Sequence, residues 1–171
     1  MRGETPHPIA LQIRALAGFI NKLSRSDLEG RLEAHGLAVG ALPFSVMQLL
    51  ARRYQTISEL SRAMRLSPAT LVPAVDALER KGLVKRGQDL HDRRRTPISL
   101  TELGKDMLLM VPMVDEKDAL VGSLEGMGQE KGEQLLALLG ELANGMAGEN
   151  VAGEVAAAFG LPHDLKPDEL H

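Results

Sequence analysis

Apolar residues at Ile9, Ile13, Leu16, Ile20 and Leu23 recur at spacings of four and three, which is one stripe of an α-helix. The stripe runs on through Leu28 and Leu32, and Gly36 is expected to end it, because glycine accepts the left-handed conformation past a helix terminus. Pro43 is expected to open a second helix through Phe44, Val46, Met47, Leu49 and Leu50. Ser58 can cap a third, short helix reaching Met64, and Ser67-Pro68 starts a fourth that runs to about Lys81 and stops at Gly82. The pattern then changes. Residues 83–86 and 98–100 read as short strands, with a polar, turn-forming stretch from 87 to 95 between them. Thr101 is expected to cap a fifth helix through Met107, Leu108, Val111 and Val114, kinked at Pro112. Gly126-Met-Gly128 breaks the chain before a sixth helix over 129–146, with Leu135, Leu138, Leu139 and Leu142 on its apolar side. A weak helix over 150–159 ends at Gly160-Leu-Pro162, and the last, acidic residues are expected to be loose.

This order defines a mainly α fold with a small β-hairpin wing. A short helix, a turn, a second helix and a charged hairpin make a winged helix-turn-helix, in which the second helix fits a major groove. The expected division is an N-terminal dimerisation helix over 1–41 and a winged helix-turn-helix over 42–105. C-terminal dimerisation helices over 106–160 and a disordered tail over 161–171 follow. The terminal stripes motivate the dimer, since a lone winged-helix unit has no surface with which to cover them.

Charge sharpens this picture. The net formal charge is −3, yet residues 51–105 hold twelve Lys/Arg against six Asp/Glu, leaving −9 for the rest of the chain. A basic middle between acidic ends suits a protein that offers one face to phosphate. The 171 residues are 44% hydrophobic and only 2% aromatic, so the core must be aliphatic, and there are too few rings to stack single-stranded bases. With no cysteine, thiol sensing and cysteine metal sites are excluded. The five histidines, His7, His35, His91, His163 and His171, share no metal-ligand spacing, and neither GxSxG nor HExxH occurs. No enzyme, cofactor or metal is expected. Residues 1–8 have no signal-peptide core and no apolar run approaches membrane-spanning length, so a cytoplasmic protein is expected.

Three segments carry more than pattern: Leu60-Ser-Arg-Ala-Met-Arg-Leu-Ser-Pro-Ala-Thr70, Leu78-Glu-Arg-Lys-Gly-Leu-Val-Lys-Arg86, and Asp92-Arg-Arg-Arg-Thr-Pro-Ile-Ser-Leu-Thr-Glu-Leu-Gly104. In their order and spacing they resemble the MarR family of winged helix-turn-helix transcription regulators. The resemblance spans about residues 42–105. It implies a homodimer whose terminal helices interlock and which binds pseudo-palindromic double-stranded DNA through a recognition helix over 67–81 and a wing over 85–98. It further implies a ligand-responsive repressor. The implied DNA contacts are Ser67, Ala69, Thr70, Lys85, Arg86, Arg93, Arg94 and Arg95. Asp92 would pair with Arg94 and stiffen the wing, while Arg93 and Arg95 would face phosphate or a narrow minor groove. A small anionic or phenolic effector between the dimer helices and the DNA-binding lobe is also implied, with Gln12, Arg14, Phe19, His35 and Tyr54 as candidate liners.

The recognition stretch departs from that pattern. Where the family commonly has Thr then Arg, this chain has Val72 then Pro73, and no Arg, Lys, Asn or Gln stands between Ser67 and Val75. Pro73 is expected to kink the helix, because its missing N–H would have bonded the Ala69 carbonyl. Only Ser67 and Thr70 remain there as hydrogen-bonding side chains, and apolar contact with thymine methyl groups and readout of DNA shape through the wing stay open. A different class of function, a winged-helix protein-interaction module without specific DNA readout, fits the same helix; the retained Arg93-Arg94-Arg95 opposes it.

Overall fold

The computed structural model describes residues 7–88 and 95–159. Among these residues the chain forms eight helices and one two-stranded antiparallel sheet. The helix α1 (Pro8–Ala34) ends where Gly36 takes φ +69, and α2 (Ala41–Leu50) begins two residues before Pro43, on Gly40. Next come α3 (Ile57–Met64), α4 (Pro68–Arg80), β1 (Val84–Arg86), β2 (Ile98–Leu100) and α5 (Glu102–Met110). The chain continues with α6 (Ala119–Met127), α7 (Gln129–Ala147) and α8 (Val151–Phe159). Val84 pairs with Leu100 and Arg86 with Ile98, while Gln55 adds a bridge on the far side of Ile98.

Two expectations at helix ends are corrected. The cap of α3 is Thr56, not Ser58. Its hydroxyl accepts the Glu59 N–H and the Glu59 carboxylate accepts the Thr56 N–H, a reciprocal capping box. The fifth helix does not kink at Pro112 and run on to Val114. It stops at Met110, because Val111 takes the extended conformation (φ −127°, ψ 97°) that a residue before proline prefers. Asp118 then caps a separate helix, α6, by accepting the Leu120 N–H. Across Pro73, by contrast, α4 is helical throughout, so that proline does not end the element.

One core holds the centre of the chain. Leu32, Phe44, Val46, Met47, Leu60, Leu71, Val75 and Ile98 are fully buried, joined by Leu78, Leu83, Val84 and Val111. It draws Leu28 and Leu32 from the last turns of α1 and Met107 from α5, so the lobe reaches past both ends of the 42–105 segment. Gly104 sits so close to β1 that a Cβ there would overlap the Leu83 carbonyl. Thr101 closes the same corner: its hydroxyl donates to the Gly82 carbonyl at 2.6 Å and accepts the Gly104 N–H.

The first half of α1 and all of α6 and α7 contrast with this. None of their residues is buried within the chain. Ile9, Leu16, Phe19, Ile20 and Leu23 on α1, and Leu136, Leu138, Leu139 and Met146 on α7, are each more than half exposed.

Candidate nucleic-acid interface

The N-terminal half of α4 is held outward by its own amphipathicity. Leu71, Ala74, Val75 and Leu78 face the core, which turns Ala69, Val72, Pro73, Asp76 and Arg80 away from it. Ser67 caps the helix by accepting the Thr70 N–H at 3.2 Å, and Pro68 fills the first position. The turn before it, from α3 to α4, is set by Arg65 at φ 52°, in the left-handed region, and by the Ser61 hydroxyl, which donates to the Leu66 carbonyl. Ser67, Ala69 and Thr70 are all exposed. The Ser67 and Thr70 hydroxyls lie 2.8 Å apart and bond each other.

The hairpin stands beside this helix and is tied to it by charge. Arg86 reaches back from β1 to Asp76 at 2.6 Å and to Glu79 on α4. Its guanidinium is held still more firmly charged, first by the Asp76 bond and then by Glu79. Arg86, expected from the sequence to contact DNA, is therefore engaged inside the protein, where it ties β1 to α4. Lys85, on the opposite face of the strand, is exposed. Arg95 pairs with Glu59 at 2.8 Å, joining the returning arm of the wing to the cap of α3. The Glu59 carboxyl lies below the ordinary glutamate range, chiefly because the Thr56 backbone N–H donates to it, with Arg95 and Arg53 adding to the effect. Asp92, Arg93 and Arg94 fall outside the described residues, and with them the expected Asp92–Arg94 pair.

Sequence reasoning missed Gln55. Its backbone exchanges two hydrogen bonds with Ile98 (3.0 and 2.8 Å), and its buried side-chain amide donates to the Leu49 carbonyl at 3.0 Å. It thereby locks α2, the cap of α3 and the wing into one unit. A lone polar residue between two helices gives no periodic signal.

The five expected effector liners are not brought together within one chain. Gln12, Arg14 and Phe19 lie on the uncovered half of α1, His35 is its C-cap and Tyr54 follows α2; all five are exposed. At about 1.5 Å of rise per residue, Gln12 and His35 are roughly 35 Å apart along the helix. The His35 ring instead meets the Arg31 carbonyl at 2.9 Å. No group of metal-ligating side chains occurs among the described residues, and none of their helices is long and apolar enough to cross a membrane.

These elements make a winged helix-turn-helix. Residues 44–96 match the model of the MarR family, as the motifs in the sequence indicated. A mutant of MarR from E. coli complexed with operator DNA superposes with a TM-score of 0.70 at 18% identity, over 81% of this chain and 99% of that one. The transcriptional repressor CouR, bound to a 23-mer DNA duplex, gives 0.67 at 22% identity, over 84% and 99%. The transcriptional regulator BldR from Sulfolobus solfataricus gives 0.63 at 24% identity, over 82% and 99%. The shared architecture therefore extends well beyond the matched segment, into the flanking helices.

Proposed function

We propose that the protein is a homodimeric DNA-binding transcription regulator, a ligand-responsive repressor acting on a pseudo-palindromic duplex site. The observation that carries this reading is the exposed N-terminal half of α4 beside a charge-braced wing, in a chain whose α1 and α7 leave apolar faces uncovered. Pairing those faces with a second copy would bury them and fix the two wing lobes about a two-fold axis. Recognition helices would then stand about 34–36 Å apart, one turn of duplex, with the two Thr70 residues facing outward. In this reading Ser67, Ala69 and Thr70 approach base edges, while Lys85, Arg93, Arg94 and Arg95 approach phosphate or the minor groove. Arg86 acts by positioning the wing. Arg95 exchanges its Glu59 contact for the duplex or keeps it as a strut.

An effector site drawn from Gln12, Arg14, Phe19, His35 and Tyr54 would need both protomers, with the α1 residues of one meeting the His35 region of the other. The test of the whole reading is an anisotropy titration of the full chain on the duplex upstream of its own gene, over a salt series. Affinity should fall steeply with salt. Arg93→Ala should flatten the slope by about two units, since each lost phosphate contact is worth about 0.9 and a dimer loses two. No duplex binding at low salt would leave the protein-interaction module as the reading of the same surface.

A further inference from the structure

The outward strip of α4 has an unusual chemistry for a surface offered to base edges. Over its first two turns the exposed positions are Pro68, Ala69, Thr70, Val72 and Pro73, of which only Thr70 carries a polar group. The only hydroxyls there, Ser67 and Thr70, already bond each other and the helix cap. Charged side chains start only at Asp76, past the first two turns: Asp76 and Glu79 are committed to Arg86, while Arg80, whose Nε meets the Asp76 carbonyl at 3.4 Å, stays exposed. The part of the helix that enters a groove deepest therefore presents mainly methyl and methylene groups, with one O–H of the Ser67–Thr70 pair left over. An apolar strip on a surface helix could dock a protein instead. Here it lies within the basic segment of an otherwise acidic chain, with Lys85 exposed on the neighbouring strand.

The major-groove edge of DNA carries one apolar group, the C5-methyl of thymine. We infer that Ala69, Val72 and the Thr70 methyl select thymine by burying its methyl group, so that specificity comes from hydrophobic contact in place of hydrogen-bonded readout. This rests on the DNA-binding reading above and assigns the base and the residues that read it. Val72 is the discriminating side chain, being 38% exposed at the edge of the strip, with two methyl groups on a stiff Cβ.

The experiment uses the full-length chain and a duplex it selects from a randomised library. That duplex is prepared with thymine and again with uracil, which keeps every hydrogen bond and removes only the methyl. Burying one methyl is worth about four-fold in affinity, so a dimer reading one per half-site should bind the uracil duplex about sixteen-fold more weakly. Val72→Ser should bring the thymine-to-uracil ratio close to one, whereas Arg93→Ala should weaken binding to both duplexes and leave the ratio unchanged. Circular dichroism confirms that each variant stays folded. Selective binding with equal affinity for both duplexes overturns the methyl assignment and leaves the DNA-binding reading intact. Failure to select any duplex overturns both.

Discussion

The two halves of this molecule solve the burial problem differently. The lobe built from α2–α5, the wing and the last turns of α1 closes its own core, with Phe44, Met47, Leu60, Leu71 and Ile98 wholly out of solvent. The helices α6 and α7 bury no residue at all, although their sequences are rich in leucine. Both regions follow the same helical periodicity, so periodicity alone does not tell a core from an interface. A stripe whose neighbours in the chain supply an opposing face becomes core. A stripe without one stays uncovered, and the distinction separates a region that closes its own core from one that leaves its apolar face exposed.

The largest expected effect comes from placing a charge on the uncovered stripe. Leu139, 51% exposed, touches no core, so Leu139→Glu should leave the thermal unfolding of the lobe almost unchanged. If α7 is a dimer seam, the change is felt twice. At about 2 kcal/mol per buried leucine the dimer dissociation constant should rise about a thousand-fold. Sedimentation over a concentration series reads this directly. Leu78→Ala should do the opposite, destabilising the lobe by about 2–5 kcal/mol at every protein concentration. If both variants behave alike, the contrast between the two regions fails.

The second effect falls where the regions meet. Arg31 lies on α1 just where the helix passes from its uncovered half to the buried Leu28 and Leu32. Its guanidinium donates to the Pro112 and Met113 carbonyls at 2.9 and 3.0 Å and meets Asp118 at 3.1 Å, while its Nε faces Asp27 at 3.2 Å. Arg31 and Asp118 side chains are 14% and 8% exposed, so this is a nearly buried cluster. Removing one member of such a cluster strands the others, which costs about 3 kcal/mol. Arg31→Met should lower stability by that amount in denaturant titration. Arg31→Lys should recover only part of it, because an ammonium lacks the planar fork that reaches two carbonyls and a carboxylate together. A loss below about 1 kcal/mol would mean that the joint is held by packing alone.

How much of this was legible in the sequence follows from the range of each signal. The amphipathic helices other than α6, the Ser67-Pro68 start, the Gly82 turn and both strands are legible, since periodicity and caps act over a few residues; α6 is not among the expected elements. The cap of α3 was misplaced by two residues even though Thr56-Ile-Ser-Glu59 carries the capping-box spacing; Ser58 has no acidic partner three positions on. Proline in a helical pattern permits either a kink or a stop, and the extended Val111 decides for the stop before Pro112. At the candidate site, the exposed positions of Ser67, Ala69, Thr70 and Lys85 agree with the motif spacing. The engagement of Arg86 with Asp76 and Glu79 is not legible there, because those partners meet only after the chain turns at Gly82. That α1 separates Gln12 from His35 follows from its predicted length; residues that would share a site across two protomers need not be near each other in one.

The smallest expected effect lies wholly inside the closed lobe, at the point where its helix cap meets the wing. Glu59 accepts hydrogen bonds from the Thr56 N–H at 2.7 Å and from the Thr56 hydroxyl at 2.9 Å, and it pairs with Arg95. Each of these favours the charged carboxylate, and its folded-state pKa is accordingly lowered, with the backbone hydrogen bond from Thr56 as the main cause. A carboxyl whose pKa is depressed by folding stabilises the protein above its unfolded-state pKa and loses that contribution as pH falls through the folded value. The parent and Glu59→Gln should therefore differ most near neutral pH and converge as pH falls from the ordinary glutamate range through the lowered folded-state value. Thr56→Ala, which removes the hydroxyl acceptor but leaves the backbone donor, should cost about 1 kcal/mol at neutral pH. Because it keeps the main cause of the shift, most of the pH dependence should survive. Paired denaturant titrations of the three proteins across that range decide the point. A constant gap between parent and Glu59→Gln would show that the carboxylate's charge contributes nothing and that the cap and the wing are joined by shape alone.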